Sequence, residues 1–194
     1  MNQKKRVEDK LLPIFFLFLL CTEYYCAYLS KRGSDTDYIY NFWFPVEYCF
    51  YTTFIASYIT RKDRRKLSKL LVVMYLFFTI IYYSLSDDLS NFSSLCYLCG
   101  FIILLVAMLF KFYEILNQEI IYNPLKNEIF WFIMGLLVVN LGSFFRFGAA
   151  NYIYKNNKEL HSALQTLNVY LTEVQYLFFI IFFFLRWRKK NSYI

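Results

Sequence analysis

The chain has 194 residues, of which 59% are hydrophobic and 23% aromatic, and it carries a formal net charge of +7. That much apolar surface exceeds what one water-soluble core of this length can hide, which excludes a soluble globular enzyme or binding domain. No basic run is long enough to form a nucleic-acid-binding domain, so the positive balance points to a lipid surface and no nucleic acid is expected as a partner.

The apolar residues fall in six blocks, each near the 20 or so residues needed to cross about 30 Å of hydrocarbon at 1.5 Å per residue. The first, 11–29, follows Lys4, Lys5, Arg6 and Lys10 and carries Glu23. It has the charged start and apolar run of a secretory leader, but Phe18-Leu19-Leu20 precedes Cys21 where cleavage requires small residues, so a retained span is expected. The second, 38–60, places Tyr40, Glu47, Tyr51 and Tyr58 on one helical face, with Pro45 two residues before the acid. A proline here removes a backbone donor, and the spacing predicts a kink and an unpaired carbonyl at Asn41 beside Glu47.

The third block, 67–85, needs Lys69 to snorkel if it is to reach full length, and the fourth, 92–116, carries Lys111 and Glu114 in its last turn, where both read as interfacial. Cys96 and Cys99 stand one turn apart in the fourth block, and with no histidine or second pair nearby they read as small packing residues; no metal and no cofactor is expected. In the fifth, 128–150, Gly135, Gly142 and Ala149 recur every seven residues as a small-residue seam for a neighbouring helix, and Asn140 and Arg146 are polar. The sixth, 162–185, follows His161. Its Gln165, Asn168, Thr172 and Gln175 recur at helical spacing on one face, while Glu173 projects roughly 120° away at about 100° per residue. Below them, Phe178, Phe179, Phe182 and Phe183 read as an aromatic seal.

Positive charge alternates between the ends of these blocks. One side collects sixteen Lys and Arg from both tails, the 61–69 connection, Lys111 and Lys126, and the other holds Lys31, Arg32, Arg146, Lys155 and Lys158. The Ser86–Ser94 connection on that second side has Asp87 and Asp88 and no base. Short loops rich in Lys and Arg stay cytoplasmic. The expectation is therefore an all-α, polytopic transmembrane helical bundle with six spans, both termini cytoplasmic, in the inner (plasma) membrane. Connections of about ten residues leave no room for a soluble domain, so residues 1–194 read as a single transmembrane domain.

Glu23, Glu47 and Glu173 fall near mid-membrane, with Arg146 nearer the outer interface. Charged side chains at that depth cost about 2.5–3.5 kcal/mol on insertion scales, so such groups face the bundle interior and find partners. Either Arg146 holds one carboxyl while the others stay protonated, with the first arrangement preferred, or the site admits a cation; snorkelling to the head groups is the alternative for Arg146. The expected ligand or ion pocket comprises Glu23, Glu47, Asn140, Arg146, Gln165, Asn168, Thr172 and Glu173, open toward the outside. Trp43, Trp131 and Trp187 read as interfacial anchors.

The stretch Asn41-Phe-Trp-Phe-Pro-Val-Glu47-Tyr and the later Pro124-Leu-Lys-Asn-Glu-Ile-Phe130-Trp131 with Gly135 resemble a functionally uncharacterised group of small six- or seven-helix bacterial integral membrane proteins. The resemblance covers most of residues 38–185 in span order. It implies a multi-pass membrane protein with Glu47 as a shared feature, and it implies no substrate.

Three function classes remain open. A small-molecule sensing or signalling module is favoured by the one-sided polar pocket and by the lack of an inverted repeat, since Pro45 has no counterpart in the fifth block. A proton- or cation-coupled transporter, or an oligomeric ion channel assembled through the glycine seam, is the alternative. An intramembrane enzyme acting on a lipid-like substrate is the least supported, because no Ser/His/Asp set, metal cluster or Gly-rich phosphate loop can be assembled. Expected partners are the lipid bilayer, a cytoplasmic protein on the basic inner loops, and further copies of the chain.

Overall fold

The computed structural model describes residues 7–34, 36–86, 92–117, 123–148, 152–153 and 156–191, and among them the chain is all-helical. Lys4, Lys5, Arg6, Asp87, Asp88, Ala149 and Lys155 lie outside the described residues. The long helices are α1 (Val7–Lys31), α2 (Asp37–Tyr58), α3 (Lys62–Leu85), α4 (Ser94–Leu116), α5 (Glu128–Gly148) and α6 (Lys158–Asn191), with a single 3₁₀ turn, Pro124–Lys126, ahead of α5.

Four stretches are long and apolar enough to cross a membrane: Lys10–Lys31, Lys62–Leu85, Ser94–Leu116 and Glu159–Lys189. α5 carries a shorter apolar run, Glu128–Phe144. α2 is not among them, because its Tyr, Asn, Thr and Glu side chains lower its hydropathy. Its position explains how such a helix is kept. α2 touches each of the other five: Phe50 stacks on Phe15 of α1 at 3.8 Å, and Tyr83 of α3 reaches the Asn41 carbonyl. Phe44 meets Tyr97 of α4 edge-on at 5.3 Å, while Phe54 lies 4.8 Å from Phe132 of α5 and 6.2 Å from Phe182 of α6. Tyr51, Thr52, Phe54, Ile55 and Ala56 are buried, so α2 is the central helix of the bundle.

Several boundaries differ from the hydropathy reading for identifiable reasons. α3 begins at Lys62, five residues before its apolar block, since the charged run is itself helical. The preceding backbone N–H groups of Thr60 and Arg61 donate to the Glu114 carboxylate of α4 at 2.9 Å and 3.0 Å. α6 runs on to Asn191, where Arg186 donates to Tyr58 at 3.2 Å and Lys189 pairs with Glu128 at the start of α5. Ser93 caps α4 by accepting from the Cys96 N–H at 3.4 Å.

α5 and α6 form the most extensive helix pair in the bundle. Gly135 and Gly142 both stand on that contact: a Cβ at Gly135 would lie 3.0 Å from the Phe178 Cβ, and one at Gly142 would lie 2.2 Å from Leu171 Cδ1. The absent side chains let the two backbones approach closely.

Pro45 sits inside α2 without ending it. The Asn41 carbonyl that it frees is not an open acceptor beside Glu47: it accepts from the Tyr83 hydroxyl at 2.5 Å, and the Asn41 side-chain oxygen accepts from the Ser93 N–H at 2.7 Å. The expectation of an unpaired carbonyl is corrected, because a neighbouring helix supplies the missing donor, as buried backbone oxygens require.

Candidate functional site

A cavity of about 540 Å³ opens in one half of the bundle, and its wall is built by α1, α2, α4, α5 and α6. Ser30 and Thr36 from the α1–α2 turn, Tyr97 at the start of α4, Arg146 at the end of α5 and Gln165 near the start of α6 mark its mouth. Leu19, Tyr51, Gln175 and Tyr176 lie deepest along their helices. All eight polar residues singled out in the sequence border it: Glu23, Glu47, Asn140, Arg146, Gln165, Asn168, Thr172 and Glu173.

The wall is ordered by hydrogen bonds between helices. Tyr48 of α2 donates to the Asn140 side-chain oxygen of α5 at 3.0 Å, while the Asn140 amide donates to its own Leu136 carbonyl at 2.8 Å. Asn140 thus has both ends satisfied and is fixed in orientation, which is how a buried amide is retained in an apolar bundle. Ser143 of α5 donates to the Asn168 side-chain oxygen of α6, and Thr172 donates back to the Asn168 carbonyl at 2.9 Å. These contacts fasten the α5–α6 wall just where Gly142 lets the helices close.

The ionisable groups differ in setting. Glu23 and Glu173 are exposed, and Glu47 and Arg146 are half-buried. Glu23 accepts from the Tyr40 hydroxyl at 3.3 Å, a contact that joins α1 to α2 across the cavity wall. Arg146 lies over the Phe147 ring with 4.5 Å from its guanidinium carbon to the ring centre, an arrangement in which the ring face stabilises the cation. Lys111 with Glu114 and Lys189 with Glu128 form ion pairs away from the cavity.

Below the cavity the rings close ranks. Phe132 of α5 stacks on Phe179 at 4.9 Å and lies 5.2 Å from Phe182, and Phe16 of α1 packs on Phe179 at 5.0 Å and Phe183 at 5.9 Å. Phe132 and Phe182 are completely buried and Phe179 is nearly so. Phe178 takes a different place, stacked on Trp131 at 5.7 Å on the α5 side. These packed rings close the inner end of the polar chamber.

Three kinds of wall residue were not singled out by sequence reasoning. Tyr48, Tyr97 and Phe147 form part of the aromatic lining, and Ser143 is 3% exposed within it. Gly100 is the least obvious: a Cβ there would stand 2.3 Å from Tyr48 Cδ2 and 2.6 Å from the Tyr75 hydroxyl, so the glycine makes room for the ring that orients Asn140. Among the described residues no three His, Cys, Asp or Glu side chains are grouped as a metal site.

No family model matches the chain, and neither a curated protein nor a solved structure shows significant similarity to it.

Proposed function

We propose that this is a multi-pass inner-membrane protein of six spans, with both termini cytoplasmic, that receives a small molecule in the pocket at the outer end of the bundle. The positive-inside asymmetry gives the orientation, and it turns the mouth of the cavity toward the outside. The observation that carries the reading is the shape of the site: a polar chamber of about 540 Å³, within the range of small-molecule pockets, ends on a packed aromatic floor. Such a chamber binds and holds. Signal relay would fall to the opposite end, where Arg61, Lys62 and Lys66 are exposed on a turn fastened by Glu114 and offer a basic face to a cytoplasmic protein.

Proton- or cation-coupled transport is the second reading, favoured by three carboxyl side chains on one cavity wall. A single cysteine placed at Thr172, in a chain whose native cysteines are replaced by alanine, separates the two in proteoliposomes. Sensing predicts that a charged, impermeant thiol reagent reaches it from the outer side only, with no proton or cation flux. Labelling from both sides, together with flux that Glu47→Gln abolishes, would establish transport. Failure to label from either side would remove the open pocket and both readings with it.

A further inference from the structure

The charge and lining of the cavity narrow what it can hold. Glu23, Glu47 and Glu173 face it from α1, α2 and α6, against the single guanidinium of Arg146, so acids outnumber bases three to one. A neutral or anionic guest would leave that excess unopposed, and an uncompensated charge costs most where it is least exposed, as at the half-buried Glu47.

A bare metal ion answers the charge but not the geometry. Hard cations require several oxygens converging within about 2–2.6 Å. Here the carboxyls come from three helices, and no metal-binding group of acidic, His or Cys side chains exists among the described residues. Dispersed carboxyls suit a guest whose positive charge is itself dispersed.

The rings between the acids fit the same guest. Tyr40, Tyr48, Tyr97 and Tyr176 present faces and edges to the chamber, surfaces that attract ammonium groups and cover the methylenes between them. Tyr51 lies on the wall one turn from Glu47 and is 1% exposed, and its hydroxyl faces the Glu47 carboxyl without closing a hydrogen bond of normal geometry. A hydroxyl directed at a carboxyl keeps its lone pairs free, so it can accept from an ammonium N–H brought in beside Glu47.

We infer that the cavity binds an aliphatic amine carrying two or more separated ammonium groups, held by the carboxyls that α1, α2 and α6 contribute, Glu23, Glu47 and Glu173, with Tyr51 beside Glu47. The inference rests on the pocket being a small-molecule site and names the class of molecule that fills it.

The test is thermal stability of the purified full chain in nanodiscs, with spermidine, 1,5-diaminopentane, potassium chloride at matched ionic strength, and glutamate as probes. Spermidine or diaminopentane is expected to raise the unfolding temperature saturably, and Glu23→Gln or Glu173→Gln, at exposed positions, to weaken the apparent affinity about tenfold. Tyr51→Phe, which keeps the ring and removes the hydroxyl, is expected to weaken it by about fivefold. A saturable shift with glutamate instead would overturn the diamine while leaving a small-molecule pocket. An equal shift with potassium chloride, or no shift with any amine, would overturn it as well, and outer-side labelling at Thr172 then decides whether the pocket itself stands.

Discussion

Asn41 ties three helices through one residue. Its backbone oxygen, released by Pro45, accepts from Tyr83, and its side-chain oxygen accepts from the Ser93 N–H that leads into α4. Tyr83→Phe removes the hydroxyl that donates to that carbonyl and is expected to cost about 1 kcal/mol, within the span measured for hydrogen bonds inside membranes, read as a lower midpoint in denaturant unfolding from micelles. Gly100→Ala belongs to the same scale with a larger effect. The added methyl meets Tyr48 Cδ2 at 2.3 Å and Tyr48 Cγ at 2.8 Å, the body of a ring fully packed in the core, so the ring must move and the 3.0 Å bond to Asn140 breaks. Overpacking of this kind costs about 1–3 kcal/mol, and the accompanying loss of Asn140 orientation should lower affinity for any pocket ligand in the same preparation. The proline and the carbonyl that it frees can be read from the sequence, since both follow from the missing N–H. Their partner cannot, because Tyr83 lies 42 positions away and looks like any other interfacial tyrosine.

At the scale of elements, the α2–α3 turn is held by a side chain from α4. Glu114 accepts from the Thr60 and Arg61 N–H groups and from the Thr60 hydroxyl at 2.7 Å, and it pairs with Lys111 at 3.2 Å. A carboxylate at the start of α3 satisfies donors that the helix leaves unused and complements the positive end of its dipole. Glu114→Ala is expected to cost about 1–2 kcal/mol locally, seen as roughly tenfold faster amide exchange at Thr60 and Arg61 with the cavity end of the bundle unchanged. Hydropathy located the apolar part of each helix, and the glycine spacing marked the face of α5 that meets α6, because a close approach has to be written as missing side chains. Hydropathy put Glu114 at an interface and could say nothing of the turn that it clamps, since that contact joins residues more than 50 positions apart.

For the whole molecule, the eight polar residues read from sequence border one cavity since charged and amide groups have few tolerable places in an apolar bundle, and shared burial collects them. The aromatic lining was not legible in the same way. Tyrosine is at home against lipid head groups and against a cavity alike, and only the rotation of each helix decides which it faces. That ambiguity has its sharpest expression in α2, whose Tyr, Asn and Glu make it the poorest candidate span by composition and whose five neighbours make it the best sheltered helix in the fold. A consequence follows for biosynthesis. Chains are made from the amino end, so α2 emerges with only α1 beside it, while two of the rings that later pack on Phe54, Phe132 and Phe182, have not yet been translated. A cysteine at Thr52 should therefore react with a water-soluble reagent on ribosome-bound chains stalled just before Glu128, where α2 has cleared the ribosome and α5 is not yet made, and become protected on the released full chain. Protection of the central helix is then expected only once α5 and α6 have been made.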